Sequence, residues 1–306
     1  MKAIVTGGAG FIGSNLVDSL RSKGVEVLII DNLSTGFLRN IPDGVELLEG
    51  DVGDPSLWEG LGSADYLFHL AAMTSVVESQ TDPIRCEISN VHSIIHMIEY
   101  AKRQGVKKIL FASSAAIYGD GADIQREDQL PQPKSPYGLS KLSGEHLLNM
   151  NYLEHSIPFV AFRMFNVFGP RQSVESSYAS VIPIFFHLAL TGRDLWVHGD
   201  GRQTRDFVYV KQVVRYYLQA MEGDMCGVFN LGSGSSRDIL SLAEEVLSLS
   251  PGSVKLNFNP PRPGDIRHSK ADTSRLRKSF GWEETDFQEA LEKTHDYYQG
   301  FLGVNA

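Results

Sequence analysis

Tyr137 and Lys141 stand four residues apart in the segment Ser135-Pro-Tyr-Gly-Leu-Ser-Lys141. On a helix that spacing puts both side chains on one face, and the pairing has a chemical use. A phenol with a pKa of about 10 is a poor base at neutral pH, but an adjacent ammonium favours the phenolate, which then removes a proton from an alcohol. Taken alone, Tyr-x-x-x-Lys is most often a surface pair on a helix. Here Ser113-Ser114 lies about twenty residues upstream, at the end of the apolar run Lys108–Ala112. From that strand end Ser114 is able to donate to, or relay a proton from, the same hydroxyl.

A second constellation opens the chain. Lys2–Thr6 runs as a short strand into Gly7-Gly-Ala-Gly10-Phe-Ile-Gly13, and Gly8, Gly10 and Gly13 satisfy G-x-G-x-x-G. Glycines serve where a strand turns sharply into a helix and its backbone approaches a pyrophosphate, which the free N–H groups of the helix start then hold. The next apolar run, Val25–Ile30, ends at Asp31, 18 residues after Gly13. A dinucleotide fold places its ribose-binding carboxylate there. Asp31 repels a 2′-phosphate, and the nearest cation after it, Arg39, lies eight residues on, so the expected cofactor is NAD rather than NADP. An oxidised nicotinamide beside Tyr137 adds a further positive charge in favour of the phenolate. His92 and His96 have a metal-compatible spacing but no third ligand nearby, so no metal site is expected. His198, after the probable strand Leu195–Val197, reads as a packing residue.

These groups need a scaffold, and the apolar pattern supplies one. Strand-like runs at Ala3–Val5, Val25–Ile30, Val45–Leu48, Tyr66–Leu70, Lys108–Ala112 and Phe159–Phe162 alternate with helical stretches. Alternation of this kind predicts right-handed βαβ units: an α/β fold with a Rossmann-type, doubly wound parallel sheet. The spacing of Ile84, Ile88, Val91, Ile94, Ile95 and Ile98 predicts one helix over Pro83–Gln104, ended by Gly105. Periodicity alone leaves that stripe as core, or as core plus a subunit interface. Further helices are expected over Ser135–Leu153 and Ala179–Leu190. After Gly169-Pro170 short strands and turns dominate, which divides the chain into a dinucleotide-binding unit (1–170) and a smaller C-terminal lobe (171–306), some of whose strands are free to rejoin the first sheet.

The 306 residues are 42% apolar and 21% charged, ordinary values for a globular protein. The net charge of −9 argues against nucleic acid as a partner. No run of apolar residues approaches the length of a membrane span, and Met1-Lys2 leads directly into a strand, so neither a membrane span nor a signal sequence is expected. Two distant cysteines, Cys86 and Cys226, fit a reducing, cytoplasmic setting.

The segments TGGAGFIG, DNLSTG, HLAAMTSVVES, SSAAIYG, SPYGLSK and FNVFGPRQ together resemble the extended short-chain dehydrogenase/reductase superfamily, and within it nucleotide-sugar epimerases of the UDP-glucose 4-epimerase type. The likeness runs from residue 2 to roughly residue 275. It implies that Gly7, Gly10, Phe11, Ile12, Gly13, Asp31, Asn32, Ser34, Thr35, Gly36, Asp51, Val52, Leu70, Ala71, Ala72 and Thr74 line NAD, with Phe165 beside the nicotinamide. Tyr137 would be the base, Lys141 would hold ribose and tune it, and Ser114 would assist. Asn166, Val181, Arg205, Arg262 and Asp265 would face a UDP-sugar, and guanidinium forks suit diphosphate oxygens on chemical grounds alone. Ser89 departs from the family, where asparagine is common beside Asn90.

Related 4,6-dehydratases carry Asp-Glu after the catalytic hydroxyl residue, and nucleotide-sugar decarboxylases keep a Glu at the second position. Elimination needs that extra acid and base. Here both positions are alanine, Ala115 and Ala116, which leaves oxidation and re-reduction of one carbon: reversible C4 epimerisation through a 4-keto sugar. A net sugar dehydrogenase or reductase on the same scaffold, and a non-catalytic NAD-binding regulator, are the alternatives. The likeness also implies a homodimer formed by a four-helix bundle of the Pro83–Gln104 and Ser135–Leu153 helices. It further implies a gate at the sugar end, where a tyrosine goes with plain hexoses. That position is Ser269, which predicts room for a 2-acetamido group.

Overall fold

Apolar runs become strands where the pattern predicts them. The computed structural model describes residues 1–119, 123–174, 180–250, 254–262 and 266–304. The first six strands are β1 (Lys2–Thr6), β2 (Glu26–Asp31), β3 (Glu46–Glu49), β4 (Tyr66–His69), β5 (Lys108–Ser114) and β6 (Phe159–Met164). Then follow β7 (Asn166–Phe168), β8 (Leu195–His198), β9 (Thr204–Arg205), β10 (Phe207–Tyr209), β11 (Gly227–Leu231), β12 (Arg237–Asp238) and β13 (Leu256–Asn259). Seven of them form one parallel sheet in the order β11-β6-β5-β4-β1-β2-β3. The order reverses direction between β1 and β4, and the crevice at such a switch point is where this architecture binds ligands.

Helices cover both faces, so the central strands are apolar on both sides. The α1 helix (Phe11–Ser22) buries Leu16, Val17 and Leu20 against the sheet. It shares its face with α8 (Val210–Glu222) and α10 (Ser274–Phe280). The other face carries α2 (Pro55–Glu59), α5 (Ser93–Gln104) and α6 (Pro136–His155), packed around Leu67, Ile94, Met97, Ile109 and Phe111. Full burial of such a side chain contributes about 1.5–3 kcal/mol. The short helices α3 (Val76–Thr81) and α4 (Pro83–Glu87) lead into α5.

The single helix expected over Pro83–Gln104 is broken by a π turn at Ile88–His92, between α4 and α5. The extra residue turns Asn90 inward, where its side chain bonds the Met73 backbone and Ser140. The predicted stripe is split as well: Ile94 and Ile98 are buried, whereas Ile84, Ile88 and Ile95 are exposed.

The C-terminal lobe is built from the strand pairs β8–β13, β9–β12 and β7–β10 with α7 (Val181–Leu190), α9 (Ile239–Leu249) and α11 (Phe287–Leu302). Its own core holds Phe168, Phe185, Phe186, Leu242 and Leu291. Although β11 and α8 follow residue 170, they belong with the large sheet. Among the described residues no helix is long and apolar enough to cross a membrane.

Candidate active site

At the switch point the chain strips away side chains. Gly7 ends β1 at φ +71°, and a Cβ on it would meet the Ala71 nitrogen at 2.7 Å. A Cβ on Gly13 would overlap the Gly7 carbonyl. The result is a bare turn at the start of α1, pressed against Leu70-Ala71 at the end of β4. Gly10 caps α1 with its backbone alone, and Phe11 and Ile12 form the first turn.

Asp31 stands at the end of β2 and faces this turn. Its carboxylate accepts hydrogen bonds from the Ala9 and Leu33 nitrogens, each at 2.9 Å. Burial pushes its carboxyl up, and those two backbone bonds pull it back down. Each oxygen retains acceptor capacity for a ribose hydroxyl. In the following loop Asn32 accepts from the Ser34 nitrogen and reaches Asp51 at 3.4 Å. Thr35 is exposed beside it, and Gly36 packs on Ala9 and Asp31. Val52 is buried after β3, its carbonyl accepting from Trp58. Leu70, Ala71 and Ala72 are half-buried, and Thr74 is exposed. A bare turn, a helix N-terminus and a poised carboxylate around one crevice fit a dinucleotide.

The catalytic candidates converge beside it. Ser135 caps α6 by accepting from the Gly138 nitrogen at 3.1 Å, with Pro136 in the first turn. Gly138 lets α6 approach the turn that follows β5 closely, since a Cβ there would meet the Ala116 carbonyl oxygen at 2.6 Å. Tyr137 and Ser114 are thereby brought close together. Burial pushes the Tyr137 phenol up, and Ser114 opposes it. Lys141 is 3% exposed, with Nζ 5.8 Å from the Tyr137 ring centre and 5.0 Å from that of Phe111. Burial brings its ammonium down to about 8. Phe165 is buried at the end of β6, its nitrogen donating to the Leu231 carbonyl.

Toward the smaller lobe lies a cavity of about 240 Å³ lined by Asn166, Val181, Arg205 and Arg262, among others. One Arg205 nitrogen also donates to the Thr204 and Ile266 carbonyls. Asp265 lies outside the described residues. Ser269 is half-buried and is not among the residues lining this cavity. It sits two residues before Ala271, which packs with Ile117, Tyr118 and Phe165.

Several residues at the site escaped sequence reasoning. His198 lines the cavity with Trp196 and Gln203 and donates through Nδ1 to the Pro260 carbonyl at 3.2 Å, in place of the packing role expected for it. His69 is buried between Thr6 Oγ1 (2.9 Å) and Ser93 Oγ (3.3 Å), stacked on Phe111. Burial, and then the Lys141 charge, brings its imidazole down to about 3, so it is neutral at pH 7. Asn90 bonds both Met73 and Ser140 and thus ties the β4 loop to α6. Ser89 beside it accepts through its carbonyl from Ser93. The signal for Asn90 was a polar residue inside an otherwise apolar helical pattern.

Comparison with known proteins agrees with this geometry. Residues 3–232 match the NAD dependent epimerase/dehydratase family. UDP-glucose 4-epimerase of Mycolicibacterium smegmatis is 34% identical over 98% of this chain and 99% of its own length. The structure of UDP-glucose 4-epimerase from Thermotoga maritima with UDP-glucose is 36% identical, covers 99% of this chain and 100% of its own, and superposes with a TM-score of 0.95. That of UDP-N-acetylglucosamine 4-epimerase from Methanobrevibacter ruminantium in complex with UDP-N-acetylmuramic acid is 38% identical over 98% of both chains, with a TM-score of 0.94. With its parallel sheet, its bare glycine turn and Tyr137, Lys141 and Ser114 gathered at one crevice, the chain belongs to the NAD dependent epimerase/dehydratase family.

Proposed function

We propose that this protein is a UDP-hexose 4-epimerase that retains its NAD between turnovers and accepts both plain and 2-acetamido hexoses. One observation carries the reading: Tyr137 lies beside Ser114 with Lys141 buried one turn away, and the two positions after Ser114 are alanine. The site therefore holds a proton acceptor for a sugar hydroxyl, and Ala115 and Ala116 supply no carboxylate for elimination.

Tyr137 takes the 4-OH proton, with Ser114 bridging the hydroxyl and Lys141 stabilising the phenolate. With NAD bound, oxidation and re-reduction at sugar C4 become available. The 4-keto sugar turns over in the cleft, and Tyr137 returns the proton to the opposite alcohol. In this reading the glycine turn, Phe11, Ile12, the Asp31–Gly36 loop, Asp51, Val52, Leu70–Thr74, Ser89 and Phe165 hold the cofactor. Asn166, Val181, Arg205 and Arg262 hold the nucleoside diphosphate, and Ser269 borders the sugar. The small Ser269 side chain, and the likeness to a UDP-N-acetylglucosamine 4-epimerase, support the wider substrate range.

The protein would work as a homodimer. Ile84, Ile88 and Ile95 on α4–α5 and Leu139, Met150 and Leu153 on α6 form exposed apolar stripes on neighbouring helices. An isologous pairing of those faces across a twofold axis would cover them.

Incubation with UDP-glucose, UDP-galactose and their N-acetyl forms, read by NMR, tests the function. Interconversion within each pair is expected, together with NAD in a one-to-one ratio on denaturation. Net oxidation or reduction with exchangeable cofactor would replace this reading with a dehydrogenase.

A further inference from the structure

Beneath the catalytic groups runs a buried polar chain. Glu145, one turn after Lys141 on α6, is 4% exposed; it accepts from Ser113 Oγ and from Arg163 at 3.0 Å (Nε) and 2.7 Å (Nη2). Arg163 Nη1 donates to the Tyr118 hydroxyl at 3.0 Å, and that hydroxyl donates to Asn230 Oδ1 at 2.5 Å. Asn230 Nδ2 then donates to the Gln125 carbonyl at 2.9 Å and the Asp272 carbonyl at 3.2 Å. Gln125 is paired through its backbone with Lys270 and Asp272, each at 2.8 Å. The Tyr118 ring belongs to a small apolar cluster with Ile117, Phe165 and Ala271. Glu127 makes a second bridge, its carbonyl to Arg163 and its carboxylate to the Asn230 nitrogen.

A buried ion pair is a weak source of stability, because desolvation offsets its attraction. What this one does is meet the three elements that carry the catalytic candidates, β5, α6 and β6, and the segment that follows Ser269. Ser113 precedes Ser114, Glu145 follows Lys141, Arg163 precedes Phe165 and Asn166, and Asp272 follows Ser269. Tyr118 is where the two halves join, accepting from one side and donating to the other. Burial pushes its phenol up to about 12, so it keeps the donated proton throughout the neutral range.

We propose that Tyr118 is a positioning residue for the reaction: its hydroxyl links the Glu145–Arg163 pair under Ser114 and Lys141 to Asn230, and through Asn230 to the Lys270–Asp272 segment that follows Ser269. The Tyr118 hydroxyl thus shares with the Glu127 bridge the task of keeping the segment after Ser269 in register with the base. The proposal rests on the 4-epimerase reading for its kinetic arm only.

Tyr118→Phe deletes that oxygen and leaves Arg163 bonded to Glu145 and the Glu127 carbonyl. Kcat should fall by about tenfold to a hundredfold, the scale of a small misplacement. NAD content and the affinity for UDP alone should stay as in the unmodified protein. Hydrogen exchange should rise together at the Ala116 and Asp272 amides, which lie on the two sides of the link. Asn230→Ser, cutting the link from the other side, should reproduce both effects. The proposal is overturned by an unchanged kcat, by NAD content and UDP affinity falling in step with kcat, or by exchange rising at one amide alone. If the unmodified protein turned over no UDP-hexose, the functional reading would fail, while the exchange measurement would still decide the role of Tyr118.

Discussion

Lys141 holds its ammonium 5.8 Å from the ring of Tyr137, one helical turn away and out of solvent, while Ser114 faces the phenol from the end of β5. Burial, and to a lesser extent Cys86, raises the phenol, while Ser114 opposes that rise. In the proposed mechanism, removing the hydroxyl removes the base and leaves the surrounding side chains in place. Tyr137→Phe should lower kcat by about a hundredfold to ten-thousandfold, the usual worth of a positioned acid–base group. Calorimetric affinity for UDP and the NAD content should be retained. A near-normal kcat would eliminate Tyr137 as the base.

Asp31 gives one oxygen to the Ala9 nitrogen and the other to the Leu33 nitrogen. Asparagine cannot satisfy both nitrogens and two ribose hydroxyls, because one oxygen becomes a donor. Charged hydrogen bonds are worth about 1.5–3 kcal/mol, so Asp31→Asn should weaken NAD more than about tenfold and narrow its preference over NADP. Equilibrium binding to cofactor-stripped protein measures both. Unaltered NAD affinity would place the ribose away from Asp31.

Such local features were legible in the sequence because they are short and chemically constrained. The glycine turn, Asp31 at the end of β2 and the Tyr137/Lys141 spacing each follow from a strand or helix of known pitch. Asn90 and His69 were not legible. The first depends on a π turn that displaces the helical register, and the second on three strands and a helix meeting around one imidazole. Likewise β11 joins the large sheet from beyond residue 170, a pairing that no local pattern specifies. The cavity residues Trp196 and His198 lie on a four-residue strand, β8, too short for its alternation to separate packing from lining.

His69 makes a pH test of the core. Its imidazole is held near 3 in the fold against 6.5 ordinarily, so the unfolded chain binds a proton that the folded one refuses. Stability from this residue is complete above pH 6.5 and is lost as pH falls toward 3, with a slope of up to about 1.4 kcal/mol per pH unit. Denaturant midpoints at several pH values should show that slope. His69→Asn should be less stable at pH 7 yet flatter over the acid range. An equal slope in both proteins would assign acid sensitivity to other groups.

The exposed stripe on α4–α5 and α6 predicts the behaviour of one surface change. Ile95 is 42% exposed and stands beside the buried Ile94, so a charge at 95 is tolerated by the fold but not by an apolar interface. Light scattering should give a dimer for the unmodified protein and a monomer for Ile95→Glu, with NAD content unchanged. A monomeric unmodified protein would refute the pairing outright.

Ser269 tests the substrate range. It follows Arg262 and the neighbouring loop and comes two residues before Ala271, which is fixed by the Asp206 carboxylate at 3.0 Å and packs with Tyr118 and Phe165. Residue 269 is therefore tied to the anchored Ala271 segment, and the proposed function puts its side chain at the sugar. Replacing the hydroxymethyl with a phenol adds about six ring carbons of bulk, comparable to an N-acetyl group. Overpacking costs about 1–3 kcal/mol, enough to shift preference by roughly ten- to a hundredfold. Ser269→Tyr should raise KM and lower kcat for UDP-GlcNAc and UDP-GalNAc while sparing UDP-glucose and UDP-galactose. Competition assays with both sugars in one vessel read the preference directly. Equal loss for both classes would mean that the tyrosine disrupts the Ala271 segment, and no change in either would mean that residue 269 faces away from the sugar.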